Sequence, residues 1–153
     1  TGVALLPWLE QALVKRGGAV VTHPEECTHL VADKFIPTWK LLCFLGLVAR
    51  PGEPERHLVT TEWLVKSVER PPEDKRWAKE KDFPVKDGLA AAEKKFRFRL
   101  ADTLAKARKR TRGVLEGVVV HRTESFELPE DECRAVVEAA GATLLPLPPK
   151  PPS

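Results

Sequence analysis

The spacing of apolar and polar positions divides the chain into short α and β stretches. Leu5, Trp8, Leu9, Ala12 and Leu13 recur at helical spacing. Pro7 stands near the start of that helix, where its missing N–H costs nothing. Arg16-Gly17-Gly18 stops it, with glycine in the C′ position. Ala19 to Thr22 is β-branched and predicts a short strand. His29 to Ala32 is an apolar run between Cys27-Thr28 and Asp33-Lys34, and predicts a buried strand. A loop with Pro37 follows, and proline disfavours helix in the residue before it. Thr38 is a good helix N-cap, and Leu41 to Val48 is strongly apolar, so a buried helix begins there. A polar loop from Arg50 to Arg56 leads to a strand over His57–Thr60. Thr61 caps the next helix, with Glu62 in its first turn. Trp63, Leu64, Ser67 and Val68 share one face of it, which puts Trp63 in the core. Pro71-Pro72 ends it. A charged segment containing Trp77 and Phe83 follows, then a helix from Arg99 to Thr111. That helix has Leu100, Leu104 and Ala107 on one side, expected to pack against the contact between the two copies described below, and a basic opposite side.

The pattern then restarts. Gly117 to His121 predicts a strand. Cys133, Val136, Val137 and Ala140 form a helical stripe stopped by Gly141, and Thr143 to Leu145 predicts another strand. With a shift of 123 residues, Leu13-Val14 falls on Val136-Val137 and Gly18-Ala19 on Gly141-Ala142, which is a weak internal repeat. The expected architecture is α/β, with small parallel sheets flanked by helices. The first unit covers 1–85 and lacks the strand that should precede Thr1. A basic linker with a helix covers 86–113, and 114–153 is the N-terminal half of a second unit. In the first unit the helices near Pro7–Arg16 and Thr61–Glu69 should pack on one face of the sheet, with Thr38–Val48 on the other.

Composition changes this picture little. The chain has 153 residues, 42% hydrophobic and 31% charged, which suits a globular protein. No apolar run approaches the roughly 20 residues of a membrane span, and no basic-then-apolar leader opens the chain. The three cysteines, Cys27, Cys43 and Cys133, are odd in number and widely spaced, as free buried thiols in a reducing compartment would be. A net charge of +3 is too small to imply a nucleic-acid partner by itself. The stretch Lys94 to Arg112 is locally basic, however: Lys94, Lys95, Arg97, Arg99, Lys106, Arg108, Lys109, Arg110 and Arg112 stand against Asp102. Such a run is either a solvated helix face or a contact for the DNA phosphate backbone.

Enzyme chemistry finds no footing. Thr61-Glu62 and Ser125-Glu127 make no nucleophile–base pair, and Gly17-Gly18 ends a helix where a dinucleotide loop would open one. Cys27-x-His29 has no second pair at a zinc spacing, so His29 is expected to be structural and no metal or cofactor is expected. Lys40 is the residue whose placement asks for a reason. It falls in the first helical turn, where a cation opposes the helix dipole. A lysine there either snorkels into water or holds an anion at the helix N-terminus.

The order helix, Gly-Gly, strand, Thr-His-Leu-Val strand, buried helix, strand, Thr-Glu-Trp-Leu helix resembles the BRCT domain. The signature of that family is Gly-Gly after the first helix and, in the last helix, a tryptophan followed four residues later by a small residue. Here these are Gly17-Gly18 and Trp63-Leu64-Val65-Lys66-Ser67, with Gly141 in the corresponding turn of the second copy. The linker, Glu93-Lys94-Lys95-Phe96-Arg97-Phe98-Arg99-Leu100, then Ala107-Arg108 and Leu115-Glu116-Gly117, is similar to that of tandem BRCT repeats. The resemblance covers nearly the whole chain and implies a nuclear adaptor of the DNA-damage response that binds phosphoserine peptides, phosphorylated histone tails among them.

In that class a Ser or Thr hydroxyl, the N–H of the following glycine and a lysine in the second helix's first turn hold the phosphate. The matching positions are Thr1, Gly2 and Lys40, with Thr38 placed to orient the lysine. A phosphate brings about −1.5 to −2 charges and three acceptor oxygens, which a hydroxyl, an uncrowded N–H, an ammonium and a helix N-terminus together match. The resemblance also implies a pocket between the repeats for the third residue after the phosphoserine. Leu41 and Leu42 would wall one side, and Leu128 with Pro129 the other, although leucines at such a helix interface also serve as core. Where the family has an arginine three residues before the lysine, this chain has Pro37, which offers only a carbonyl. Pro37 therefore leaves open whether a free C-terminal carboxylate is read. The alternative is a BRCT scaffold without phosphopeptide reading, binding a protein partner or DNA through its basic linker.

Overall fold

The computed structural model describes residues 2–50, 52–146 and 151–152. In chain order it contains α1 (Pro7–Lys15), β1 (His29–Val31), α2 (Trp39–Leu47), β2 (His57–Val59), α3 (Thr61–Val68), α4 (Leu89–Phe96), α5 (Leu100–Lys109), β3 (Val119–His121), α6 (Glu130–Ala139) and β4 (Thr143–Leu145). Two 3-10 turns, Pro24–Glu26 and Glu80–Asp82, complete it.

β1 and β2 are both His-Leu-Val, and they pair parallel in register, so identical residues stand side by side. Side chains alternate across a strand. Leu30 and Leu58 face a core built with Phe35, Leu41, Phe44 and Val48 from the α2 side. Val31 and Val59 face the other core, with Leu9 of α1 and Trp63 and Leu64 of α3. Both faces are covered, which is why these strands read as apolar runs without polar alternation. The helices pack as expected, α1 and α3 on one face and α2 on the other. β3 and β4 form a second parallel pair, with Val120 opposite Leu144.

The motif residues of the first unit have plain mechanical reasons. Gly17 has φ +92° at the end of α1, and its N–H donates to the Val14 carbonyl while Gly18 N–H donates to that of Leu13, both at 3.0 Å. This is a Schellman closure, which needs a left-handed residue at C′. A Cβ on Gly18 would lie 2.3 Å from Leu13 Cδ1, so a larger residue there would push the Leu13 side chain aside. In α3, the Trp63 indole N–H donates to the Ala78 carbonyl at 2.8 Å, and Ser67 Oγ accepts from Ala78 N–H at 2.9 Å. One turn of helix thus grips both polar groups of a single buried peptide segment. That explains a tryptophan and a small hydroxyl residue four positions apart.

Four expectations need correction. Ala19–Thr22 is in no ladder among the described residues, and Val20 is 55% exposed. A β-branched sequence does not make a strand without a hydrogen-bonding neighbour. The repeat register is 124 rather than 123: Gly141, at φ +89°, closes α6 as Gly17 closes α1, and Leu9 corresponds to buried Cys133. The left-handed C′ position sets that alignment. The linker holds a helix that was not anticipated, α4, with only Ala92 buried in it, which is too small an apolar stripe to show in the sequence. Arg97, left-handed at φ 54°, separates it from α5. The Glu93 carboxylate accepts from Leu100 N–H at 2.9 Å, capping α5. Finally, α5 docks through Leu100, Leu104 and Ala107 on the first unit's core beside α2, not on the contact between the two copies, because the other flank of α2 is taken by α6.

That flank carries Cys43 and Leu47, which pack with Ala139, Ala135 and Val136. α2 is therefore covered on two sides and is apolar nearly all round. At Gly46 the helices touch so closely that a Cβ would sit 2.7 Å from the Ala139 carbonyl oxygen.

Trp63→Ala should cost roughly 3–5 kcal/mol in urea unfolding, and a loss under about 1 kcal/mol would contradict this packing. Gly46→Leu should cost about 1–3 kcal/mol by prying α2 from α6, and a substitution without effect would show that the two helices separate freely in solution.

Candidate functional site

The N-terminus of α2 is built by a threonine cap. Thr38 Oγ1 accepts from Leu41 N–H at 3.3 Å. The other N–H groups of a first turn have no partner within their helix, and Lys40 is in this turn. It is half-buried, its ammonium 5.7 Å from the Trp39 ring centroid. Among the described residues Lys40 has no ion pair. Positive potential from the helix end and from the ammonium is therefore not neutralised locally.

Lys40 borders an open cleft of about 530 Å³ between residues 17–23 and β1, and Val3 borders the same cleft. Gly2, next to Val3, is exposed and has φ +66°, a left-handed conformation that suits glycine. No atom lies within 4 Å of where its Cβ would stand, so its backbone is open to approach. Thr1 lies outside the described residues. The structure thus brings Lys40 and the segment after Gly2 to one cleft, with Thr38 capping the helix turn that carries the lysine.

The residues expected to wall a second pocket divide. Leu41 is 2% exposed and belongs to the first unit's core. Leu42 is 44% exposed and presents the surface of α2, with exposed Pro37 ahead of the helix. Leu128 is half-buried, and Pro129 is exposed as the N-cap of α6. The loop before them is held by Arg122, whose guanidinium donates to the Phe126 carbonyl at 3.0 Å and to that of Leu128 at 2.9 and 3.2 Å. Arg122 was not singled out from the sequence, since carbonyl partners in a loop leave no pattern along the chain.

Arg56 was also missed. It is 8% exposed. Its guanidinium donates to the carbonyls of Leu47 at 2.9 Å, Glu25 at 3.0 Å and Cys27 at 3.1 Å, and pairs with Glu53 at 2.8 Å. The Leu47 carbonyl is among the last of α2, where a cation is favourable. The cysteines are free. Burial pushes the Cys43 thiol up to about 11, which keeps it protonated and unreactive. On the linker, Arg108 pairs with Glu55 at 2.6 Å and Arg112 with Glu116 at 3.9 Å, which leaves Lys94, Lys95, Arg97, Arg99, Lys106, Lys109 and Arg110 outside any ion pair among the described residues.

No family model matches the chain. The fold itself is informative. It superposes on the BRCT5-BRCT6 domains of S. pombe Brc1 with a TM-score of 0.74 at 23% identity, over 95% of this chain and 63% of that one. It also matches Rtt107p, solved in complex with a phosphorylated histone, with a TM-score of 0.51 at 12% identity over 94% and 57%. With the Schellman glycines, the Trp63–Ser67 grip and the second copy of the unit, this gives the chain the fold of tandem BRCT domains. In sequence it is similar to mediator of DNA damage checkpoint protein 1 of Mus musculus, 31% identical over 141 residues, which are 90% of this chain and 7% of that protein. The Homo sapiens counterpart is 30% identical over 145 residues, 92% of this chain and 6% of that protein. PAX-interacting protein 1 of Bos taurus is 29% identical over 135 residues, 84% and 12%. The chain thus spans no more than about an eighth of these relatives.

Arg56→Met should lower unfolding free energy by about 3 kcal/mol, since the buried Leu47 carbonyl and two part-buried carbonyls lose their donor. Equal stability of the variant in urea would show that these hydrogen bonds are replaced by water.

Proposed function

We propose that this chain is a phosphoserine-peptide-binding adaptor module acting in the nuclear DNA-damage response. It works by binding rather than by catalysis. Its parts are a first BRCT unit over 1–85, a linker over 86–113 and the beginning of a second unit over 114–153. The observation that carries the reading is Lys40: an ammonium without a counter-ion among the described residues, in the first turn of α2, on the rim of a cleft that the segment after Gly2 also borders. A phosphate dianion there meets the ammonium, the helix N-terminus and the Gly2 N–H, each stronger for being charge-assisted. Thr1 would add a hydroxyl donor.

The peptide then runs towards the start of α6. Leu42 and Pro37 on one unit, and Leu128 and Pro129 on the other, form an apolar seat for its third residue beyond the phosphoserine. The likeness to a checkpoint mediator protein and to Rtt107p, solved with a phosphorylated histone, supports phosphoproteins, histone tails included, as partners. Pro37 supplies no cation for a terminal carboxylate, so an internal phosphoserine fits as well as one near a chain end.

The test is calorimetric titration of one peptide in phosphorylated and unphosphorylated form. The phosphorylated form should bind far more tightly. Removing one partner of a desolvated charge pair costs about 2–5 kcal/mol, so Lys40→Ala should weaken it roughly 30-fold or more without loss of stability. Equal affinity for wild type and variant overturns the phosphate assignment. The unpaired cations of α4 and α5 favour a second reading, DNA binding through the linker. In that case affinity for duplex DNA falls steeply with salt and drops in Lys106→Ala/Lys109→Ala, while Lys40→Ala leaves it unchanged.

A further inference from the structure

Both strands of the first sheet begin with histidine, and the register puts His29 beside His57 with ring centroids 5.1 Å apart. The turn Glu80–Asp82 closes the third side: Glu80 Oε1 is 2.9 Å from His29 Nε2. One donor atom from each of the three residues lies within 4.8 Å of the others, and all three side chains are half-buried. We propose that His29, His57 and Glu80 form a binding site for a divalent transition-metal ion, zinc above all.

Two imidazoles and one carboxylate make a donor set that suits zinc and leaves its fourth position open. A cavity of about 480 Å³, bordered by His57 and Glu80, opens onto the cluster and gives a path for the ion and a fourth, water ligand. Lys79, Lys81 and Arg108 also border it, with Glu55 engaging Arg108. The second nitrogen of His29, Nδ1, lies 2.9 Å from Thr28 Oγ1, and Trp63 stacks on the ring at 4.3 Å. These contacts fix the ring so that Nε2 faces Glu80, the outer support that ligating histidines ordinarily have.

Metal–ligand distances of about 2.0–2.1 Å put tetrahedral donors roughly 3.4 Å apart. The His29–Glu80 pair must open slightly, the ion replacing the proton shared between them. His57 must turn in, and the cavity beside it gives it room. Sequence spacing could not show this site, because its ligands converge across the ladder and from a turn, not along a short motif. The bound ion would tie β1, β2 and the turn at Glu80 together behind Trp63.

The test is titration of Zn²⁺ alone into the metal-free full chain by calorimetry, repeated with Co²⁺ followed by visible absorption. We expect one ion per chain at micromolar affinity or better, a rise in Tm, and the intense absorption of tetrahedral Co²⁺. His57→Asn and Glu80→Gln should each weaken binding at least about 10-fold while keeping the metal-free far-ultraviolet spectrum, and His23→Ala should bind like wild type. Absence of binding overturns the proposal, as does binding that survives both ligand variants or is lost only in His23→Ala or Cys27→Ser.

Discussion

A single buried guanidinium organises the first unit. Arg56 sits where the 3-10 turn before β1, the end of α2 and the entry to β2 meet, and it donates to a carbonyl from each of the first two and to Cys27. A buried cation is tolerable only when it is paired and fully hydrogen-bonded, and Glu53 completes the set. The same side chain that satisfies these carbonyls therefore fixes the direction of α2. The other end of that helix holds Lys40. Position of the ammonium relative to the cleft is thus set some distance away, at the opposite end of the helix.

α2 is also the hinge of the architecture. One flank faces β1 and α5, the other α6, and its N-terminus faces the cleft. Such a helix must be apolar on most sides, which leaves few positions for polar chemistry. Only the first turn and Leu42 remain available to a ligand. The proposed phosphopeptide reading draws on this restriction as much as on charge: the one cation carried by α2 stands in its first turn, at the rim of the cleft.

The sequence carried much of this. Gly17-Gly18, the Trp63–Ser67 spacing and the apolar stripes of α2, α5 and α6 announced themselves because each is a local requirement of a turn or a helix face. What stayed hidden depends on distant groups. Ala19–Thr22 has strand composition, but a strand is a relation between two segments. α4 buries little more than Ala92 and has no stripe to read. Arg56 and Arg122 look like surface arginines, because their carbonyl partners carry no side-chain signal. At the candidate site, Lys40, Thr38 and Gly2 could be named from the chain, whereas Leu41 could not be separated from Leu42 until the core showed which way each one faces.

The approach of Gly46 to the Ala139 carbonyl has a mechanical meaning. Most helix contacts are cushioned by side chains that can change rotamer and absorb small displacements. Here the two main chains come so close that not even a methyl group fits between them, which leaves little room for such adjustment. The first turn of α2 and the N-cap of α6 are then two jaws of a rigid gauge, and the span between them tolerates little error. For the proposed peptide, such a gauge would select by length before it selected by chemistry.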